Sequence, residues 1–355
     1  MSFAEELMAV AQAPAFRTAM RLSPRTQVML SGREPVVVDG QVLAPEMQLF
    51  LRMLALNQAD PSQATPEAAR AFADGTASMV AGPPDEVAWT RDFEVAGAEG
   101  LLRARLYVPR ERAEDESSPM LVFFHGGGFV IGGFATHDAP CRTLAVHGGV
   151  RVVSVEYRLA PEHPFPAAPA DCLAAFNDIV ARAGELGADP ERIAVGGDSA
   201  GGALSAVTCL QARDAGGPLP AFQLLIYPVA DMSEKSRSYH LFKDGFFLTE
   251  EQMDWYGSHY LAPGADHTDP LVSPLLAPSL EGLPPAHVVT AGFDPLRDEG
   301  ESYAERLREA GVPVTLRRHP DLIHGFINMM GTGRSARAAT VEMGGVLRQA
   351  LQASG

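Results

Sequence analysis

Short runs of β-branched and aromatic residues alternate with longer stretches rich in Ala and Leu from about residue 91 onward. Each run ends near Gly, Pro or Asp and is too short for a helix, which is typical of strands buried in a sheet. We predict strands at 101–108, 120–124, 150–157, 192–195, 222–227, 287–290 and 314–318. Between them we predict helices at about 164–183, 200–215, 298–311 and 325–350. This alternation predicts an α/β fold with a mostly parallel sheet covered by helices on both faces.

The first ninety residues have a different pattern, which is helical and predicts no strand. Residues 65–67, a Thr, a Pro and a Glu, form a helix-start signal. A second segment, 229–262, also lacks a strand pattern but contains a capping-box sequence at 249–252. We therefore divide the chain into an N-terminal helical cap region at 1–90 and a sheet domain at 91–355, in which 229–262 is a second cap segment.

Composition and charge restrict the class of protein. The chain has 355 residues, of which 46% are hydrophobic and 20% are charged, values that describe a globular protein with a large core and exclude a disordered or collagen-like chain. The formal net charge of −16 repels phosphate backbones and anionic membrane surfaces. We therefore expect no nucleic-acid partner.

The cysteines and the N-terminal segment indicate the cellular compartment of the protein. The cysteines are odd in number and widely spaced, so we interpret them as small buried side chains rather than as disulfide or zinc ligands: Cys141, Cys172 and Cys209. Residues 1–20 carry Glu5 and Glu6 where a signal peptide needs basic residues. No apolar run approaches the roughly 20 residues of a membrane span. We expect a cytoplasmic protein without stable membrane insertion.

The pentapeptide 197–201 reads Gly-Asp-Ser-Ala-Gly and lies between a predicted strand and an Ala-rich helix. A G-x-S-x-G sequence at such a turn is typical of a nucleophile elbow, because the tight turn leaves no room for flanking side chains and exposes the Ser hydroxyl. The motif alone is a weak signal, but the strand before it and the helix after it strengthen it. We predict Ser199 as a nucleophile.

A second motif follows the predicted strand at 120–124. His125 is succeeded by three glycines, 126–128, which allow backbone N–H groups to approach a developing oxyanion closely. We interpret His125 as a residue that braces this loop, since it precedes the serine, whereas the order in this kind of fold is serine, acid, histidine.

The acid and the base must follow later strands. Asp294 leaves the strand at 287–290 first and is the preferred acid, while Asp298 is the alternative, better placed to interact with the dipole of the next helix. His324 lies in the loop before the last helix, where an imidazole can reach a serine, and is the preferred base. His319, which abuts a strand, is the alternative.

Five motifs in this order resemble those of the bacterial hormone-sensitive-lipase-like (family IV) carboxylesterases, which have the α/β-hydrolase fold. Over about residues 90–355 they lie at 125–129, 157–168, 197–202, 294–300 and 324–326. The resemblance implies an α/β-hydrolase catalytic domain at 91–355 with a helical cap. It also implies that the motif at 157–168 is a structural loop.

By this resemblance Ser199 is the nucleophile, His324 the base and Asp294 the residue that orients the base. The implied reaction is hydrolysis of small-molecule esters with short- to medium-chain acyl groups through an acyl-enzyme, with no metal or organic cofactor. The same residues would serve an acyltransferase, and a ligand-binding protein without catalysis is a third interpretation. A homodimer is compatible with each of them.

The resemblance also implies the neighbours of these three residues. An oxyanion hole is expected from a loop shaped by Gly126 and from the N–H groups of Gly127, Gly128 and Ala200. The expected substrate-binding residues are Asp198, Phe129, Trp255, Tyr256 and Phe326. We interpret Asp198 chiefly as a brace of the elbow. The N-terminal region looks longer than is usual in the family, and we expect it to form, with 229–262, a cap over Ser199 that sets specificity.

Overall fold

The computed structural model describes residues 18–56, 64–115 and 117–352. Within these ranges two short strands form a hairpin and eight form a central sheet; in chain order they are β1 (Val37–Val38), β2 (Gln41–Val42), β3 (Trp89–Gly97), β4 (Gly100–Val108), β5 (Ser118–Phe124), β6 (Arg151–Val155), β7 (Ala188–Asp198), β8 (Gln223–Ile226), β9 (Ala286–Phe293) and β10 (Val314–Ile323). The order across the central sheet is β10-β9-β8-β7-β5-β6-β4-β3. The pairs β3/β4 and β4/β6 are antiparallel, and the five other pairs are parallel. The predicted α/β fold with a mostly parallel sheet is confirmed.

Helices cover both faces of this sheet. In chain order they are α1 (Pro24–Ser31), α2 (Pro45–Leu56), α3 (Pro66–Ala81), α4 (Phe134–Gly148), α5 (Ala167–Ala181), α6 (Ala200–Asp214), α7 (Arg237–Phe242), α8 (Glu250–Tyr260), α9 (Arg297–Glu309) and α10 (Ser335–Ala350). None of the helices in the described ranges combines the length and the apolar character that a membrane crossing needs.

Strand β5 shows how the sheet divides the core. All seven of its residues are buried. Because side chains alternate along a strand, Val122 packs into one apolar cluster and Phe123 into the other. The first cluster contains side chains of α5, α6 and α9, and the second contains side chains of α2, α4 and α10. A sheet buried on both faces explains why its strands read as continuous apolar runs.

The first ninety residues are not free of strands, which corrects the prediction. The hairpin of β1 and β2 turns at Asp39 and Gly40, whose φ angles of +55° and +73° suit a two-residue turn. Strand β3 also begins within the first ninety residues, at Trp89, and among the described residues β4 is its one partner strand. These strands escaped prediction because β1 and β2 have two residues each and the edge strand β3 is largely exposed and polar.

The segment 229–262 contains α7 and α8 and, as predicted, no strand among its residues. Thr249 caps α8 through a hydrogen bond to its side chain from Gln252 N–H, which confirms the capping box. Thr65 caps α3 in the same way. Residues 1–20, which we did not expect to form a signal peptide, lie mostly outside the described residues.

The loops that follow β5, β7, β9 and β10 leave the sheet at the same end of the strands. Strands β5, β7, β9 and β10 are parallel, so their carboxyl ends meet there. Ligands in open α/β sheets bind beyond the carboxyl ends of the strands.

Candidate active site

Ser199 stands on a sharp turn between β7 and α6. Its φ of +56° is rare for a residue other than glycine. The turn depends on the missing side chains of Gly197 and Gly201, because a Cβ at Gly197 would lie 2.6 Å from the carbonyl carbon of Gly201 and one at Gly201 would lie 2.7 Å from the carbonyl oxygen of His125. The N–H of Ser199 donates to the carbonyl of Ile226 at 2.8 Å, which ties the turn to β8.

The side chains of Ser199, His324 and Asp294 form one chain of hydrogen bonds. His324 Nε2 lies 3.0 Å from Ser199 Oγ, and His324 Nδ1 lies 2.8 Å from Asp294 Oδ2. Asp294 is fully buried, and its other carboxylate oxygen accepts from Leu296 N–H at 2.8 Å. A carboxylate held in this way favours the imidazole tautomer with its proton on Nδ1, so that Nε2 can accept the proton of the hydroxyl.

The two alternative candidates for acid and base make other contacts. Asp298 accepts hydrogen bonds from Arg297 Nε and from Ser238 N–H, both at 2.8 Å, at the start of α9. The ring of His319 packs against that of Phe326, with the centroids 5.6 Å apart. Among the described residues, neither Asp298 nor His319 hydrogen-bonds to the serine or to the histidine beside it.

The glycine loop 126–128 lines the same cavity as the serine. Gly127 and Gly128 have φ angles of +116° and +59°, and a Cβ on Gly128 would lie 2.7 Å from Cδ2 of Tyr256. In the described ranges, no protein acceptor takes the N–H of Gly127 or Gly128. The N–H of Ala200, the first residue of α6, has no partner within its helix. Three backbone donors are therefore available to a ligand oxygen near the serine.

Asp198 joins the serine turn to the glycine loop. Its Oδ1 accepts from Gly126 N–H at 2.8 Å and lies 3.0 Å from His137 Nε2, and its Oδ2 accepts from the Tyr227 hydroxyl at 3.3 Å. Burial raises the pKa of Asp198, but His137 and the Gly126 N–H outweigh it and hold the pKa below its usual range. The carboxylate thus anchors the loop rather than carrying a proton, in line with a bracing role.

His125 is held inside the loop in its neutral form. Burial, reinforced by His137, lowers the pKa of His125 to about 3. Its Nδ1 lies 2.9 Å from the Gly126 carbonyl, and its ring stacks on Tyr157 at a centroid distance of 4.3 Å. The Tyr157 hydroxyl donates to the carbonyl of His125 at 2.7 Å. These contacts fit the interpretation of His125 as a brace.

The serine hydroxyl opens into a cavity of about 1090 Å³. Helix α8 and the residues before it contribute to the wall, and so do Phe129 and Tyr256 of the predicted substrate-binding set. Helices α2 and α3 contribute apolar side chains, among them Phe50, Met53, Leu54, Phe72, Ala73 and Val80. Both segments that we expected to form a cap therefore line the cavity that contains Ser199.

Two aromatic residues of the predicted set, Trp255 and Phe326, are not among the described residues that line this cavity. Trp255 turns its ring to His259, with the centroids 4.4 Å apart. Phe326 is fully buried in the core, edge-on to Tyr227 at 5.1 Å.

Three residues at the site escaped the sequence analysis. His137 lies on α4, a helix that was not predicted. Tyr227 packs its ring 4.6 Å from that of His324, and Phe247 lines the cavity with a φ of +80°. The sequence analysis placed Tyr227 inside the predicted strand 222–227, whereas the structure ends β8 at Ile226 and puts Tyr227 directly after it.

The amino-acid sequence matches a family model and is similar to those of known proteins. A family model described as alpha/beta hydrolase fold matches residues 121–328. Carboxylic ester hydrolase LipN of Mycobacterium tuberculosis (strain ATCC 25618 / H37Rv) is 44% identical over 337 residues, which are 93% of this chain and 88% of LipN. Carboxylesterase NlhH of the same strain is 44% identical over 280 residues, which are 76% of this chain and 86% of NlhH. The match with LipN thus reaches into the first ninety residues.

Solved structures are similar as well. An ester hydrolase from the metagenome of Lake Arreo, complexed with a derivative of bipyridine phosphonate, is 43% identical with a TM-score of 0.84, and the match covers 86% of this chain and 98% of that one. A hyperthermophilic esterase from the archaeon Pyrobaculum calidifontis is 38% identical with a TM-score of 0.82 and the same coverage, 86% and 98%.

Proposed function

The chain belongs to the hormone-sensitive-lipase-like family of α/β hydrolases, and from this membership we propose that it is a serine carboxylesterase with Ser199 as its nucleophile. One observation carries the assignment of residues: His324 lies 3.0 Å from Ser199 Oγ on one side and 2.8 Å from Asp294 on the other. The relatives named as carboxylic ester hydrolase and carboxylesterase support the reaction class.

The reaction proceeds through an acyl-enzyme. His324 Nε2 takes the hydroxyl proton as Ser199 Oγ attacks the ester carbonyl carbon, and the carbonyl π electrons move to the oxygen. When the tetrahedral intermediate collapses, the bond to the alcohol oxygen breaks and His324 returns the proton to that oxygen. Water then repeats the cycle on the acyl group, releasing the acid and restoring Ser199. Asp294 stabilises the imidazolium in both halves.

The oxyanion hole comprises the N–H groups of Gly127, Gly128 and Ala200, in a loop shaped by Gly126. The Gly126 N–H is engaged by Asp198, which leaves the next two donors for the substrate oxygen. Donors fixed before the reaction need no reorganisation as negative charge develops, and loss of one typically costs roughly 10²–10³ in turnover.

The N-terminal region and the segment 229–262 form the cap that selects the ester. The support is that α2, α3 and α8 all line the cavity of Ser199. The apolar side chains of α2 and α3 favour a hydrocarbon acyl group over a charged one. The short to medium acyl length is carried over from the family resemblance. The cytoplasmic location and the homodimer stay expectations from the sequence.

The test is Ser199→Ala with p-nitrophenyl butyrate as substrate. We expect turnover to fall by about 10⁴-fold or more with the thermal midpoint retained, since only the nucleophile is removed. Ser302→Ala, an exposed serine on α9, is the matched control and should keep wild-type turnover. An alkyl phosphonate should add one covalent group to the wild-type protein and none to Ser199→Ala. Retention of most of the turnover by Ser199→Ala would remove Ser199 from the mechanism.

A further inference from the structure

Arg70, on the cap helix α3, donates hydrogen bonds to two loops of the catalytic domain. Its Nε donates to the carbonyl of Val130 at 2.8 Å, and its Nη2 donates to the carbonyl of Ala160 at 2.7 Å. The same guanidinium pairs with both carboxylate oxygens of Glu162, at 2.8 Å and 2.6 Å. One side chain thus joins a cap helix to the loop after β5 and to the loop after β6.

The first of these loops is the one that carries the oxyanion donors. The carbonyl of Gly127 accepts from the N–H groups of Val130, at 3.1 Å, and Ile131, at 3.0 Å, which closes the loop into a tight turn. At its start, Gly126 N–H is held by Asp198 of the serine elbow. At its end, the Val130 carbonyl is held by the guanidinium. The cap therefore supplies one of the anchors of this turn.

The second loop reinforces the same anchor. Ala160 N–H donates to the carbonyl of Phe129 at 2.9 Å, and the Ala160 carbonyl accepts from Arg70. Val130 is 0% exposed and Ala160 is 1% exposed. Water has poor access to such carbonyls, so removing their donor would leave buried acceptors unsatisfied and favour a shift of the loop.

We propose that Arg70 is a positioning residue for the oxyanion hole, which holds the loop 126–131 from the cap so that the N–H groups of Gly127 and Gly128 point at the ester carbonyl oxygen. The inference rests on the proposed function, since it presupposes that hole. It gives the cap a part in the chemical step in addition to the selection of substrates. A planar guanidinium suits the task, because its fixed fork of donors can serve two carbonyls and a carboxylate at once.

The test is Arg70→Lys with p-nitrophenyl acetate, since the acetyl group is the shortest acyl chain among the test esters and depends least on the cap wall. Lysine keeps the charge and can pair with Glu162, but one ammonium group cannot reproduce the fork. We expect kcat to fall about tenfold with KM nearly unchanged, because a misplaced donor weakens the transition state more than the bound substrate. The inhibition constant of a trifluoromethyl ketone, which forms a tetrahedral adduct, should rise by a similar factor.

The matched control is Glu162→Gln, which leaves both carbonyl hydrogen bonds of Arg70 in place. The side chain of Glu162 is 46% exposed, and exposed ion pairs contribute little, so kcat should stay within about twofold of wild type. The inference is overturned if Arg70→Lys keeps wild-type kcat and ketone affinity, or if Glu162→Gln lowers kcat as much as Arg70→Lys does. Turnover by Ser199→Ala would instead overturn the proposed function, so the two failures are distinguishable.

Discussion

At the scale of single residues, backbone strain is concentrated around one cavity. In the part of the chain that the structure describes, four residues other than glycine have a left-handed φ and line the cavity or pack directly behind it: Phe129, Ser199, Tyr227 and Phe247. Such a conformation costs of order 1–3 kcal/mol and persists only where the surroundings hold it. The glycines of the loop meet the same demand without that cost, which makes them the sharper place to perturb the site.

Gly128→Ala is expected to disable the oxyanion loop. A Cβ at this position would overlap the Tyr256 ring, in which even Cδ2 would be only 2.7 Å away, so the loop or the ring must move. We predict a fall in kcat for p-nitrophenyl butyrate of about 10²-fold, the size typical of a lost oxyanion donor. Steady-state kinetics and the thermal midpoint, measured on the same preparation, separate this loss from unfolding.

Gly216→Ala is the control for backbone strain alone. Gly216 has a φ of +64°, close to the +59° of Gly128, but nothing lies within 4 Å of its Cβ position. Both variants should lose about 1 kcal/mol of stability from the left-handed conformation. Only Gly128→Ala should lose turnover. Equal turnover of the two variants would contradict the role assigned to the loop.

At the scale of elements, the hairpin of β1 and β2 is bound to the starts of α7 and α9 and to the carboxyl end of β9. Asp39, in the hairpin turn, pairs with Arg237 at 2.6 Å and with the buried Arg297 at 3.0 Å. The hydrogen bond from Arg237, with the one from Arg297, lowers the pKa of Asp39 to about 2. Gln41 Nε2 donates to the carbonyl of Gly292 at 3.2 Å, two residues before the proposed catalytic acid. This part of the N-terminal region therefore also supports the turn of Asp294.

Glu46, at the start of α2, caps another helix. Its Oε1 accepts from the N–H groups of Arg334 and Ser335, both at 3.2 Å, where α10 begins. We predict that Glu46→Ala lowers the free energy of unfolding by about 1–2 kcal/mol, because it removes a cap and a negative charge at a helix N-terminus. Glu46→Gln keeps the acceptor and should lose less. Urea unfolding measures both.

Glu86→Ala is the control for the Glu46 variants. Glu86 and its partner Arg110 are exposed, at 80% and 72% of their side-chain surfaces. Loss of such a pair should change the free energy of unfolding by less than about 1 kcal/mol. If Glu46→Ala is no more destabilising than Glu86→Ala, the capping of α10 by Glu46 does not contribute to the free energy of unfolding.

The sequence predicts an element when its signal is local, such as a continuous apolar run or a capping residue next to the helix. Strand β5 is buried throughout, so its apolar run is continuous, and the start of α3 has its cap in the adjacent residue Thr65. Strand β3 shows no such run because its exposed edge carries Arg91 and Asp92. The hairpin is held by Asp39, whose partners lie about 200 residues away or more, and no local pattern can report contacts of that kind.

At the scale of the whole molecule, the site is assembled from parts that were predictable to different degrees. Ser199, Asp294 and His324 belong to motifs with a fixed place after a strand, so the sequence alone could propose them. His137 contacts Asp198 across 61 positions of the chain, and nothing in its own neighbourhood indicates that contact. The same holds for the cavity wall, since the apolar side chains of α2 and α3 fit an ordinary core equally well until the helices are placed over the serine.

The wall formed by α3 provides a test of the cap as the selector of acyl length. Ala73 lines the cavity, whereas Ala71 on the same helix is exposed and does not. Ala73→Phe should narrow the space for the acyl chain and lower kcat/KM for p-nitrophenyl decanoate about tenfold, a loss of about 1.4 kcal/mol, while acetate hydrolysis stays within about twofold. Ala71→Phe adds the same ring outside the cavity and should leave kcat/KM unchanged for both substrates. A loss shared equally by decanoate and acetate would mean that α3 affects the chemical step rather than chain length, and the cap would not be the selector.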